Sequence, residues 1–218
     1  MAQVFMPSAN HLARLSLLAF VIIPGGLVGA GIAVSRSPWN THVNVPLNQP
    51  VPFSHEHHVN ELGIDCRYCH KTVENSPYAG MPSTHTCMSC HSQVWTNSPL
   101  LKPVRDSYKT GVPLVWNRVT SLPDFVYFDH SIHVRKGIGC DVCHGQVNHM
   151  NITFKAKTLF MAWCLKCHRD PAKFIRPKNQ VFNLEYRYPP DQSTLGKELM
   201  ISYHVHKNGL TDCSVCHR

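Results

Sequence analysis

Apolar and polar positions follow two different regimes along the chain. From residue 15 to residue 34, LSLLAFVIIPGGLVGAGIAV, twenty positions pass without a charge, with Arg14 before them and Arg36 after. Twenty helical residues at about 1.5 Å each span about 30 Å, the hydrocarbon thickness of a bilayer. The pattern therefore predicts one N-terminal transmembrane helix over 15–34, preceded by a short cytoplasmic N-terminus at 1–14. A cleaved signal peptide is the alternative, with Gly31-Ile32-Ala33 as a passable cleavage site. The preferred reading is an uncleaved single-pass anchor. Gly25, Gly29 and Ala33 recur every fourth residue, a small-residue stripe that lets a partner helix approach closely. Pro24 predicts a kink.

Beyond residue 35 no long period of 3.6 or 2 survives. Pro38, Pro46, Pro50 and Pro52 predict an extended strut over 35–52. After it, apolar residues come in short clusters, which predict short α-helices, few or no strands and much irregular backbone. The region 53–218 divides by its motifs into half one (53–95), half two (128–171) and a tail (204–218). Between them, 96–127 and 172–203 are connectors rich in proline and aromatics.

The cysteines change the picture. Ten of them form five pairs with two residues between: Cys66/Cys69, Cys87/Cys90, Cys140/Cys143, Cys164/Cys167 and Cys213/Cys216. Zinc is a serious competitor, because 17 residues separate Cys69 from Cys87, a ribbon-like spacing. The next residue favours another chemistry. His70, His91, His144, His168 and His217 follow all five pairs, although only 16 histidines occur in 218 residues. Independent placement would do this about once in half a million sequences, whereas C-x-x-C-H is the attachment motif of c-type haem. Two thiols add to the haem vinyl groups and the adjacent histidine binds the iron. Five covalently bound c-type haems are expected, and a fold of the multihaem cytochrome c class. Bacterial haem of this type is attached outside the cytoplasmic membrane, so the haem domain belongs on the periplasmic or outer side of that membrane.

Net charge alone, +8, would suggest an anionic surface or nucleic acid. Ten propionates and five ferric centres bring the loaded protein to ~+3 oxidised and ~−2 reduced. No basic run is interleaved with aromatics, and nucleic-acid binding is excluded.

The histidines outside the motifs decide between enzyme and conductor, because an iron with a second strong ligand is closed to substrate. In FSHEHH, His55 and His58 stand three apart behind Phe53; in FDHSIH, His130 and His133 repeat that spacing behind Phe128. Two imidazoles on one helical turn project from the same side, so each pair can serve two irons, one downstream and one of a neighbour. His204 lies nine residues before Cys213, comparable with eleven from His55 to Cys66 and ten from His130 to Cys140. The expected iron ligands are therefore His70, His91, His144, His168 and His217 with His55, His58, His130, His133 and His204. Rivals remain: His57 for His58, His206 for His204, His85 and His149 as further candidates, and Met81 or Met150 at a His/Met site. His11 and His42 precede the haem region and are not expected to be ligands. Trp95, Trp116 and Trp163 are expected to pack on haem faces. No paired carboxylates stand beside an open site, and no catalytic residue is assigned.

The FxHxxH…CxxCH unit is similar to that of the class III multihaem cytochromes. Over most of residues 53–218, GMPSTHTCMSCHS, GVPLVWNRVTSLPDFVYFDHSIHVRKGIGCDVCHG and MAWCLKCHRDP resemble the pentahaem subunit family of bacterial alternative complex III. That resemblance implies a quinol:electron acceptor oxidoreductase. Its partners would be an iron-sulfur subunit, polytopic quinone-binding membrane subunits and a monohaem cytochrome c subunit. Electrons would leave to a soluble cytochrome c, a blue-copper protein or a terminal oxidase.

Two other functions compete. A membrane-anchored quinol dehydrogenase feeding periplasmic nitrate or nitrite reductase also has one anchor and several CxxCH motifs, and needs a weakly ligated iron near the membrane. The strut argues against it by separating the first motif from the bilayer. A multihaem reductase would need a five-coordinate iron that binds CO, nitrite or cyanide.

Overall fold

The computed structural model describes residue 6 and residues 8–218. The chain forms two compact units, one running through His42 and the other from Val43 to Arg218.

In the first unit α1 (Ala9–Arg36) is one helix of 28 residues, long and apolar enough to cross a membrane. It starts six residues before the uncharged run and ends two after it. Hydropathy marks the part suited to lipid, whereas the polar Asn10, His11 and Arg14 lie outside it and still extend the helix. The helix continues through Pro24, and no atom lies near the space that a side chain at Gly25 or Gly29 would fill. A single turn, α2 (Pro38–Thr41), opens on Pro38 and stops at His42, which is left-handed with φ 54°.

The second unit is built from short helices with no extended sheet among the described residues. His58 sits on a π-helical turn, Glu56–Glu61, and His55 immediately precedes that turn. After it come α3 (Cys66–Cys69), α4 (Thr84–His91), α5 (Lys102–Thr110), α6 (His130–Arg135), α7 (Cys140–His144), α8 (Met161–Arg169), α9 (Gln192–Ser202) and α10 (Cys213–Cys216). Only isolated bridges link extended segments: Val43 with Lys155, Pro46 with Phe154, and Ile138 with Ile175.

Two of these bridges correct the expected strut. Residues 35–52 are not one extended spacer. Residues 38–41 are a helical turn, and from Val43 onward the chain lies along residues 153–155. The Asn44 N–H donates to the Lys155 carbonyl at 2.8 Å, and the Leu47 N–H to the Thr153 carbonyl at 3.4 Å. Proline cannot donate, but its neighbours can, so a proline-rich strand pairs as an edge. The spacing argument against the quinol dehydrogenase reading therefore lapses.

Few side chains make the core. Val51, Leu101 and Val104 pack with Cys87, Met88, Leu114 and Trp116; Val73, Val134 and Val181 pack with Ala79 and Phe182. The first cluster joins half one to the first connector, and the second joins both halves to the second connector. Helix α5, in the first connector, buries Val104 and Ser107 and packs on α4. In the second connector, α9 packs so closely on residues 171–173 that a Cβ on Gly196 would strike the Ala172 carbonyl. Gln192 Nε2 donates to the Ala172 and Ile175 carbonyls, each at 2.8 Å.

Candidate haem sites

Each CxxCH motif begins in a short helix, α3, α4, α7, α8 or α10. Positions i and i+3 share a helix face, so both thiols of a pair point one way. Asp65 caps α3 by accepting from the Arg67 N–H at 2.8 Å. Burial pushes the Cys140 and Cys143 thiols up to about 12. Neutral sulfur is what these surroundings accommodate, and a thioether is neutral. No group of three or more metal-binding side chains of the zinc type occurs among the described residues.

The histidine rings are set in place by their Nδ1 atoms. His58 Nδ1 lies 2.8 Å from the Ser54 carbonyl, and His133 Nδ1 2.7 Å from the Asp129 carbonyl. Four more carbonyls do the same: Gly80 for His70 at 2.8 Å, Val94 for His91 at 3.1 Å, Pro77 for His130 at 2.8 Å, and Leu210 for His168 at 2.7 Å. A carbonyl only accepts, so Nδ1 carries the proton and Nε2 keeps a free lone pair for a metal. His55 Nδ1 contacts Thr153 Oγ1 at 2.9 Å.

Phenylalanine supplies the other constraint. Phe53 meets His55 edge-on at 4.9 Å and stacks on His58 at 4.4 Å. Phe128 meets His130 edge-on at 4.8 Å and stacks on His133 at 4.5 Å.

Ring spacing tests whether these residues fit haem. Two imidazoles on opposite faces of one metal ion, with each nitrogen about 2 Å from it, hold their ring centroids about 6.3 Å apart. His58 and His91 are 6.1 Å apart, His130 and His144 6.3 Å, and His133 and His168 6.2 Å. The residues fit the group. Burial lowers the His55 pKa to about 4, with His70, His58 and His144 lowering it further. Burial likewise lowers His144 to about 4, with His130 and then His70 beside it. Buried neutral imidazole is the form that binds iron.

The fifth motif differs. His217 Nδ1 contacts the Phe125 carbonyl at 2.9 Å, and the Tyr127 N–H donates to the Cys216 carbonyl at 2.9 Å. No imidazole faces His217 among the described residues. His204 is exposed and left-handed at φ 52°, and Nζ of Lys136, the residue just after α6, holds its carbonyl at 3.3 Å.

The rivals have other partners. His57 Nδ1 lies 2.6 Å from Glu61, His149 Nε2 2.8 Å from Glu185, and the His85 ring 4.7 Å from that of Tyr108. Met150 is buried and Met81 exposed. The sequence pattern misses the carbonyl anchors, which any residue type supplies, and a buried ion pair between Asp141 of the third motif and Arg176, 35 positions on.

A family model described as cytochrome c3 matches residues 132–218. The multiheme cytochrome c subunit of menaquinone reductase from Nitratidesulfovibrio vulgaris (strain Hildenborough) is 32% identical over 177 residues, covering 78% of this chain and 77% of the relative. With CxxCH motifs on short helices and imidazoles paired across the width of an iron, the chain belongs to the multihaem c-type cytochromes and carries covalently bound haem.

Proposed function

We propose that the chain is a membrane-anchored electron-transfer subunit of a quinone-linked respiratory or photosynthetic complex, with five c-type haems. The observation that carries this reading is the set of imidazole pairs 6.1 to 6.3 Å apart, because an iron closed on both faces conducts electrons and does not take substrate. Each haem, when bound, supplies one reversible one-electron change. Cys66 and Cys69 hold the first, with His70 and His55; Cys87 and Cys90 the second, with His91 and His58. Cys140 and Cys143 hold the third, with His144 and His130; Cys164 and Cys167 the fourth, with His168 and His133. Cys213 and Cys216 hold the fifth, with His217 and, on sequence spacing alone, His204.

Contacts between the attachment segments support an order for the path. Tyr68 of the first motif hydrogen-bonds Ser89 of the second at 2.7 Å, His130 beside the third reaches the Pro77 carbonyl just after the first at 2.8 Å, His130 and His133 share α6 and face the third and fourth, and His168 of the fourth contacts the Leu210 carbonyl, three residues before the fifth, at 2.7 Å. Contacts therefore run second, first, third, fourth, fifth, with the second and fifth motifs as the two ends. Helix α1 serves as the anchor, with the haem region on the outer face of the cytoplasmic membrane.

The finer reading is the pentahaem subunit of an alternative complex III, in which electrons leave quinol in a partner and exit through these haems. The relative's name favours a second reading, in which the same kind of subunit delivers electrons toward menaquinone. Extraction in mild detergent and mass spectrometry separate the candidates. Co-isolation with an iron-sulfur protein, polytopic subunits and a monohaem cytochrome, together with quinol oxidation, supports the first. A complex that reduces menaquinone from a soluble donor and lacks the monohaem subunit supports the second. A chain isolated alone and still oxidising quinol overturns both and makes it the dehydrogenase.

A further inference from the structure

The third attachment motif contains a charge that the conducting role alone does not require. Asp141 directly follows Cys140 on the attachment helix, so its charge is one residue from the link to any haem that Cys140 and Cys143 hold. Its carboxylate is mostly buried and faces Arg176, whose side chain is fully buried. Arg176 Nη2 donates to Asp141 Oδ2 at 3.0 Å, and Nη1 lies 2.9 Å from Oδ1 as an ion contact without a hydrogen bond. Nη2 also donates to Tyr188 Oη at 3.0 Å, which in turn donates to the Phe174 carbonyl at 2.9 Å; Nη1 donates to the Asn183 carbonyl at 3.2 Å. The rings of Tyr186 and Tyr188 flank the guanidinium at 4.8 and 5.0 Å. Burial opposes the charge of Arg176, but the bonds to Asp141 and Tyr188 outweigh it and hold the group protonated.

The backbone closes around the same side chain. Gly139, the residue before Cys140, has Arg176 so near that a Cβ would come within 2.3 Å of Cζ. A Cβ on Gly137 would come within 2.5 Å of the Arg176 carbonyl, and the Gly137 carbonyl accepts the Arg176 N–H at 2.9 Å. The GIGC stretch is thus fitted to an arginine supplied by the connector 172–203.

We propose that Arg176 and Asp141 form a positioning pair that holds the third attachment helix and tunes the midpoint potential of the haem it carries. This rests on that motif holding a haem. A buried cation favours the reduced centre, which has one less positive charge, and a buried anion favours the oxidised centre. The pair as built nearly cancels, so each partner alone should reveal a shift of opposite sign.

The test is potentiometric titration of the intact, haem-loaded protein with low-temperature EPR to follow single centres. The third centre is identified as the one whose spin state changes in His130→Ala. Arg176→Met is expected to move that centre to a more negative potential, Asp141→Asn to a more positive one, and the doubly neutral Asp141→Asn/Arg176→Gln back toward the starting value. Arg176→Lys, which keeps the charge, should retain the potential. Shifts of the same sign in both single variants, or no shift, overturn the proposal and leave the pair a purely mechanical clamp. If Arg176→Met yields no folded protein, Asp141→Asn decides alone: it keeps the shape and removes the charge, so an unmoved potential overturns the inference. Failure of the function proposed above would show differently, as a wrong set of co-isolated subunits with the potentials of these variants unaffected by it.

Discussion

The two halves place a phenylalanine and two histidines in nearly the same arrangement on different backbones. Phe53 and Phe128 meet the first histidine at 4.9 and 4.8 Å with planes 87° and 88° apart, and the second at 4.4 and 4.5 Å with planes 26° and 28° apart. Yet residues 56–61 form a π-helical turn, whereas α6 is an ordinary helix capped by Asp129. Helix type does not set the rings. The aromatic wedge and the carbonyl four residues back do, Ser54 for His58 and Asp129 for His133. Anchors also cross between halves: His55 reaches Thr153, and His130 reaches Pro77.

The halves differ in what supports their attachment helices. In half one, the position after the first cysteine is Arg67, paired with Asp65 two residues away in the open. In half two, it is Asp141, paired with the buried Arg176. One charge is held by water and a neighbour, the other by a shell of protein.

Withholding haem should have the largest effect. Ten hydrophobic residues are buried in the described chain, in clusters too small to offset the ordering of the second unit. Protein made without haem attachment is expected to lose its helical circular dichroism and its resistance to protease. Half one should be cut before half two, which keeps the Arg176 shell. A compact apo-protein resistant along its whole length would show that protein packing, not haem, makes the core.

Next in size are the second histidines. His58→Ala should turn the haem of Cys87/Cys90 high-spin and open it to CO, and His133→Ala that of Cys164/Cys167, one CO per protein in each case. Each change falls on a haem other than the one attached just downstream. EPR changes confined to the haems of Cys66/Cys69 and Cys140/Cys143 would break the equivalence of the halves.

Much of this was legible in the residues. The CxxCH motifs and the repeated FxHxxH are local spacings, and the structure sets the first on short helices and brings His58, His130 and His133 of the second opposite motif histidines. The uncharged run marked α1 but not its ends, because hydropathy marks fitness for lipid, whereas polar residues such as Asn10 and His11 can still be helical. The proline-rich stretch read as a free strut because pairing with residues 153–155 is a long-range backbone contact that leaves no mark on side chains. Arg176 looked like one basic residue in a connector for the same reason: its partner is 35 positions away. His204 matched a gap length, yet its carbonyl is held by Lys136, the residue just after α6, a tie that no gap length encodes.

Glycine substitutions sharpen the contrast between the supports. Gly139→Ala drives a methyl group into the Arg176 guanidinium, and overpacking of this kind costs about 3 kcal/mol. Gly63→Ala, two residues before the Asp65 cap of half one, meets open space, and only its left-handed backbone at φ 66° opposes it, at about 1 kcal/mol. Denaturant titration of the haem-loaded variants should rank them in that order. Equal losses would mean that half two is no more tightly supported than half one.

The smallest effect belongs to Arg67. Its guanidinium donates from Nε to Asp65 Oδ1 at 2.9 Å and from Nη2 to Oδ2 at 2.8 Å, and lies 4.5 Å over the Phe182 ring. Both charged side chains are about half exposed, so water screens the pair, which contributes about 0.5 kcal/mol, and the ring contact adds about 0.5 kcal/mol. Arg67→Ala is therefore expected to cost about 1 kcal/mol at low ionic strength and less as salt screens the pair. The potential of the first haem should hardly move, because the lost charge was already shared with Asp65 and solvent. A shift there as large as the one Arg176→Met produces at the third haem would mean that exposure does not distinguish the two charges, and that both attachment helices are tuned by the residue after their first cysteine.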